Sequence, residues 1–287
     1  MNKAIKYRIY PTREQAVLFA KTFGCCRKVY NLMLADKIES YQATGKFVAV
    51  TPAKYKKEYL YLKEVDSLAL ANAQRNLQGA FRSCFSKKRK RKNGFPKFKS
   101  AKKSRKSYTT NNQKGTITLM DSKYIKLPKV GKVKAKNHRQ PEMDWQLKSA
   151  TVSQNSDGKY YVSVLFELES QPSAYVADKT NAIGLDYASD GLYVDDNGNK
   201  GTHHKYYRES HRKLAKAQRR LSRMQGSKKK EEKSANYLKQ LKKVNRIHRH
   251  IANQRLDNLH KLSTEIANQY DVVCVESLNM KKMSNKK

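Results

Sequence analysis

The spacing of apolar and polar positions changes period several times along the chain, and each change predicts a different element. Residues 3–10, KAIKYRIY, alternate charged and apolar positions, the period of a half-exposed strand, and Pro11 ends it. Thr12 followed by Gln15 has the form of a capping box, after which Val17, Phe19, Ala20, Phe23, Val29, Leu32 and Met33 recur at roughly helical spacing. This predicts a helix over 13–43, bent at Gly24. A second helix is predicted over 67–91, with Leu70, Ala73, Leu77, Ala80, Phe81, Cys84 and Phe85 on one stripe.

From 107 to 169 the pattern is that of short strands and turns. GTITLM, YIKLP, GKVKAK, KSATVSQ and KYYVSVLFELE are separated by turn residues, and NSDG ahead of Lys159 is a hairpin signal. Five strands in so short a stretch predict a small β-barrel or curled sheet. Strand 3–10 lacks a partner nearby, so the economical arrangement is one β domain, residues 1–10 and 96–172, with the helices of 11–95 inserted into it. QPSAYVADKT contains the last proline, Pro172, and reads as a linker, with 173–180 joining the β domain to a second domain at 181–287.

In that second part NAIGLDYASDGLYVDDNGN, residues 181–199, sets one carboxylate, Asp186, directly after Ile183, Gly184 and Leu185. An ionised acid in a buried strand is costly without a cation, a donor or a proton. GTHHKYYRE, with His203 and His204, extends the strands. Two amphipathic helices are predicted over 208–225 and 233–268, with the basic loop GSKKKEEKS between them, and YDVVCVESLNMKKMS closes the pattern with an apolar strand that ends at Glu276. Three strands, a long helical stretch and a strand is the order of an RNase H-like sheet, whose first and fourth strands lie parallel and adjacent. The helices are long enough for that crossover. Asp186 and Glu276 would then face each other, and two close carboxylates need a cation; hard oxygen ligands suit Mg²⁺ or Mn²⁺. The simpler alternative makes Asp186 a loop cap and Glu276 a salt-bridge partner of a basic helix. Asp190, Asp195 and Asp196 read as turn residues.

Charge narrows the class of partner. Lys and Arg number 62 against 24 Asp and Glu, a formal net charge of +38, an excess that favours a polyanion. No apolar stretch approaches the roughly 20 residues of a spanning helix, and the N-terminus lacks the apolar core of a signal peptide. The reading is therefore an intracellular protein, cytoplasmic and nucleoid-associated, with no membrane partner. The basic run that follows the second helix interleaves aromatics, and bases stack on aromatic faces while cations neutralise phosphates. Its candidate contacts are Lys87, Lys88, Arg89, Lys90, Arg91, Lys92, Phe95, Lys97, Phe98 and Lys99; Arg219, Arg220 and Arg223 add a basic helical face. Cys25, Cys26, Cys84 and Cys274 form no CxxC pair, so a zinc site is not supported and buried apolar roles are expected.

Taken together, KAIKYRIYPTREQ, FGCCRKVYNLML, FPKFKS, LPKVGKV, DGKYYVSV, IGLDY, LSRMQGSKK, NQRLDNLHKLSTEIA and YDVVCVESLNMKKM resemble TnpB (OrfB-type) proteins of insertion sequences, relatives of the type V CRISPR effectors. The resemblance implies an α+β multidomain protein. Its parts would be a wedge-type β-barrel with an inserted helical recognition domain, then an RNase H-like (RuvC-like) α/β nuclease domain. It implies a non-coding guide RNA and double-stranded target DNA as partners and leaves assembly as a dimer open. By position, Asp186 and Glu276 fall on the first and second catalytic acids. Family members carry a zinc ribbon and a third acid beyond the MKKMS motif; this sequence carries neither, so the nuclease domain is expected to be incomplete. Three functions stay open: an RNA-guided endonuclease, a guided DNA-binding protein or truncated remnant that does not cut, and a basic RNA-associated protein.

Overall fold

The structure, a computed structural model, describes residues 1–86, 94–142, 144–168, 176–188, 191–202, 204–224 and 233–278. The chain divides into two units, Met1–Gln171 and Pro172–Lys287.

In the first unit, strand β1 (Asn2–Tyr10) lies inside a seven-stranded antiparallel sheet of order β2-β6-β7-β1-β5-β4-β3. The other strands are β2 (Lys106–Asn111), β3 (Thr118–Met120), β4 (Tyr124–Leu127), β5 (Gly131–Lys136), β6 (Trp145–Gln154) and β7 (Tyr160–Leu168). The N-terminal strand thus finds its partners, β5 and β7, more than a hundred residues downstream, as the sequence predicted. β2 and β3 are the ends of the pairing, which fits a curled sheet. One strand escaped prediction: KSYTTN of β2 has no hydrophobic run, and it is held because Tyr108 and Thr110 face the core while Thr109 Oγ1 bonds Thr151 Oγ1 at 2.8 Å.

Helix α1 (Arg13–Thr44) starts where the capping box predicts, with Gln15 N donating to Thr12 Oγ1 and Thr12 N to Gln15 Oε1. It runs unbroken through Gly24 and stops at Gly45, whose left-handed backbone (φ 70°) lets its N–H reach Tyr41 O. After a short helix α2 (Pro52–Tyr55), helix α3 (Ser67–Phe85) begins at the cap Asp66, which accepts from Leu68 N. It ends six residues before the expected 91. Its stripe holds through Leu70, Ala73 and Leu77, then loses its cover: Phe85 is exposed and Phe81 and Cys84 are half-buried.

α1 and α3 share one core with the sheet. Phe19 and Phe23 of α1 meet Tyr108 of β2, with ring centroids 6.3 and 5.8 Å apart. Buried polar groups lock the same joint. Asp66 accepts from Thr110 Oγ1, and Asn72 Nδ2 donates to Thr109 O at 2.9 Å, so the start of α3 satisfies a hydroxyl and a backbone carbonyl on the open side of β2.

In the second unit, β8 (Ala182–Tyr187), β9 (Tyr193–Asp195) and β10 (Val272–Val275) form a sheet of order β10-β8-β9. Helices α4 (Tyr206–Arg223) and α5 (Ala235–Gln269) pack side by side through Leu214, Ala217, Val244, Ile247 and Ile251, and Gln240 Nε2 donates to Ala217 O at 2.8 Å. Two expectations are corrected. GTHHKYYRE is not a strand: a single bridge, Val194↔Lys200, precedes it, and its described residues are coil until α4 begins at Tyr206, where the apolar positions take helical spacing. Cys274 is exposed rather than buried, and Val275 is 71% exposed, because β10 is an edge strand. Leu238 and Leu259 of α5 are also exposed.

Burial in the first unit sets its response to alkali. The Cys26 thiol is pushed up to about 12 from an ordinary 9.0, by burial first and the nearby Cys25 second, and the Tyr108 phenol is raised above 10.0 mainly by burial. Both groups stay neutral in the fold and ionise more readily in the unfolded chain. The stability tied to the thiol is therefore complete below pH 9 and is lost towards pH 12. Denaturant midpoints measured from pH 8 to 10.5 should fall more steeply for the native protein than for Cys26→Ala; equal slopes would contradict this environment for Cys26.

Candidate metal centre and nucleic-acid interface

β10 pairs parallel with β8, in the register Val272↔Ala182, Val273↔Ile183, Cys274↔Gly184 and Val275↔Leu185. One residue further on, Glu276 comes level with Asp186. Strand alternation turns Asp186 to the face opposite Ile183 and Leu185, and Glu276 follows directly on the end of β10; at this sheet end the two acids meet. They line one cavity of about 220 Å³ together with Leu185, Tyr187, Val275 and Leu278. The sheet thus brings together two acids ninety positions apart in the chain. The long crossover permits it, since α4 and α5 occupy the interval between the parallel strands.

The burial expected of Asp186 is not found. Ile183 is buried, but Leu185 is half-buried and both Asp186 and Glu276 are exposed. The reason is local: at this end of a three-stranded sheet the edge strand β10 shows Val273 and Val275 to solvent. The cost of a buried charge is therefore not what marks Asp186. Its proximity to Glu276 is. Asp186 Oδ1 accepts from Tyr187 N at 2.7 Å, a contact at the strand end that leaves Oδ2 for other partners.

The acids of the β9 turn are committed locally. Asp195 accepts from Asn199 Nδ2 and from the backbone N–H groups of Asn197 and Asn199, which hold its carboxyl below the usual range, the Asn199 side chain most of all. Asp196 Oδ2 accepts from Gly184 N at 3.2 Å and its Oδ1 from Asn197 Nδ2 at 3.3 Å. Asp190 lies outside the described residues. Among the described residues no group of three or more His, Cys, Asp and Glu side chains stands together as a metal cage. His204 stacks on Tyr206 and His248 lies beside Gln218, neither at the two acids.

The predicted nucleic-acid contacts divide into three groups. Lys87, Lys88, Arg89, Lys90, Arg91 and Lys92 lie outside the described residues. Lys97, Phe98, Arg219, Arg220 and Arg223 are exposed, the arginines along α4. Phe95 and Lys99 have protein partners. Phe95 meets Phe81 edge-on at 5.4 Å, and the Lys99 ammonium lies 3.8 Å above the Tyr30 ring while its backbone exchanges two hydrogen bonds with the Asn31 side chain. Partial burial lowers the Lys99 pKa below its ordinary value. The segment after the basic run is thereby pinned to α1.

Two features escaped the sequence reading. Arg27, Lys99, Arg105 and Lys106 line a cleft of about 250 Å³ between α1, α3 and β2, with Asn72 and Asn76 as polar partners. Its residues come from four separate segments, and only the unpredicted strand β2 assembles them. The second is a cluster of aromatic rings about the C-terminal end of α3. Two phenylalanines past the last buried turn, Phe81 and Phe85, four positions apart, were its one sequence signal.

Residues 1–46 match a family described as a helix-turn-helix domain, although here they form one strand and one helix, and residues 164–287 match a family described as a probable transposase of OrfB/IS605 type. A Streptomyces pristinaespiralis protein named putative RNA-guided DNA endonuclease is 34% identical over 303 residues, covering 99% of this chain and 68% of its own length. The Escherichia coli K12 putative RNA-guided DNA endonuclease InsQ is 30% identical over 289 residues, covering 98% of this chain and 67% of its own. Among solved structures, Cas12f1 from a complex with sgRNA and target DNA superposes with a TM-score of 0.55 at 11% identity, over 97% of this chain and 81% of that one, a likeness of fold alone. On these matches the chain belongs to the TnpB (OrfB-type) family of IS605-type insertion sequences.

Proposed function

We propose that this chain is an RNA-guided DNA-binding protein of an IS605-type transposon, with a metal-dependent nuclease site at Asp186 and Glu276. The observation that carries the reading is the parallel pairing of β8 with β10, which sets the two acids level at the carboxyl ends of adjacent strands. In open α/β sheets that edge is where ligands bind. The relatives named as RNA-guided DNA endonucleases support guide RNA and target DNA as partners, as does a net charge of +38. Within this reading residues 181–287 are the RNase H-like (RuvC-like) part, residues 1–10 and 96–172 the wedge, 11–95 the recognition insert and 173–180 the link.

The donor set fits Mg²⁺ or Mn²⁺. Both ligands are hard carboxylate oxygens, and Mg²⁺ is commonly held by one or two carboxylates, with water and substrate phosphate completing its shell. The exposure of Asp186 and Glu276 leaves room for a phosphate to enter. A divalent ion held there supplies Lewis-acid stabilisation at the scissile phosphate and an activated water. Asp186 and Glu276 would hold the ion; Arg219, Arg220 and Arg223 supply exposed cations for phosphates in the same unit.

The purified chain with its copurified RNA should nick a matched plasmid in Mg²⁺, and Asp186→Ala or EDTA should abolish nicking without abolishing DNA binding. Guided binding with no nicking by the native chain would favour the non-cutting reading, and nicking that survives Asp186→Ala would remove Asp186 from the site. For the basic run, neutralising Lys87, Lys88, Arg89, Lys90 and Arg91 together should flatten the salt dependence of duplex DNA binding by about 0.9 in log–log slope for each phosphate that these side chains neutralise. An unchanged slope would show that these cations touch no phosphate.

A further inference from the structure

At the C-terminal end of α3 the fold sets aromatic rings from four segments against one another and leaves them open to solvent. Tyr41 of α1 stacks on Phe47 at 4.6 Å and 17°, Phe47 meets Phe81 at 5.2 Å and Phe85 at 6.0 Å, and Phe95 stands edge-on to Phe81. Phe81 and Phe85 are nearly parallel, at 13° and 6.2 Å. Tyr41 is 51% exposed and Phe85 59%, large apolar surfaces that a closed core would have covered. Phe47, Phe81 and Phe85, with Lys37, Gln78 and Arg82, line an open cavity of about 450 Å³, within the range that small ligand sites usually occupy.

The charge around the rings selects the occupant. The charged side chains lining the cavity are Lys37 and Arg82, both cationic, and among the described residues no acid lines it. The Lys37 ammonium lies 5.8 Å from the Phe81 ring centre and donates to Val48 O, which fixes it at the rim. In sequence, the six positions between Ser86 and Asn93 are all Lys or Arg. A second copy of a chain of charge +38 would be repelled from this surface. An unpaired base carries what the surface lacks, a flat π face joined to an anionic phosphate.

We propose that the ring cluster of Phe47, Phe81 and Phe85 is a stacking platform for unpaired bases of a single-stranded nucleic-acid segment, with Lys37 and Arg82 beside it to meet the flanking phosphates. The proposal rests on the nucleic-acid-binding part of the proposed function and not on cleavage. Stacking is indifferent to base identity, because every base has a π face. The platform therefore adds affinity for strands that are open, not for a particular sequence.

The test is fluorescence anisotropy of the full chain on a single-stranded DNA oligonucleotide and on an abasic oligonucleotide with the same number of phosphates. The native protein should bind the base-bearing strand about five-fold or more tightly. Phe47→Ala with Phe85→Ala should remove that preference while leaving abasic binding and its salt slope unchanged, and Phe85→Trp should retain the preference. A strand carrying 2-aminopurine should lose emission on the native protein, a readout that needs no variant. Equal binding of the two strands by the native chain, or unquenched 2-aminopurine, would overturn the platform. So would a ring variant that loses self-association in sedimentation while keeping its base preference, since the rings would then serve a second copy. Loss of nicking activity alters none of these readouts, so failure of the platform and failure of the metal site are told apart.

Discussion

Two strands that run in the same direction cannot be joined by a turn; the chain must leave the sheet, cross over and re-enter from the same end. β8 and β10 are such a pair, and α4 and α5 are the crossing. Since the strands run in the same direction, their carboxyl ends share one edge of the sheet, and acids placed just there arrive together however far apart they lie in sequence. Asp186 and Glu276 occupy those positions. The apolar seam of α4 with α5, from Leu214 to Ile251, holds the two arms of the crossing together.

The first unit answers a different constraint, the concentration of positive charge. Its core is shared between helices and sheet, with the polar contacts of Asp66 and Asn72 closing the seam at β2. The cations are kept at the margins. Lys99 illustrates the compromise: its stem is packed and its ammonium sits over Tyr30, so the backbone beyond the basic run is fixed by a ring face and the Asn31 amide. Anions thus remain the natural complement of this surface.

The sequence made legible whatever local periodicity controls. The N-terminal strand, the capping box of Thr12 and Gln15, and the hairpin turn ahead of Lys159 appear where the pattern put them. So does the terminal strand that carries Glu276 beside Asp186. What was hidden depends on tertiary contacts. β2 has almost no apolar signature because its place is set by Asn72, Asp66 and Thr151. The outward turn of Phe85 could not be read from a stripe that is helical to its last residue. GTHHKYYRE alternates weakly enough for either element, and the helical spacing from Tyr206 onward prevailed. For the candidate site, the strand neighbours of Asp186 suggested burial, but exposure is decided by how many strands flank it, and β10 is an edge.

The shared position of Asp186 and Glu276 at one sheet edge is tested most directly by Mn²⁺ binding followed by electron paramagnetic resonance on the full chain without nucleic acid. A site built by both carboxylates predicts a bound Mn²⁺ signal that is lost in Asp186→Asn and equally in Glu276→Gln, with Mg²⁺ competing for it. A bound signal that persists undiminished in either variant would contradict a metal site shared between the two strands.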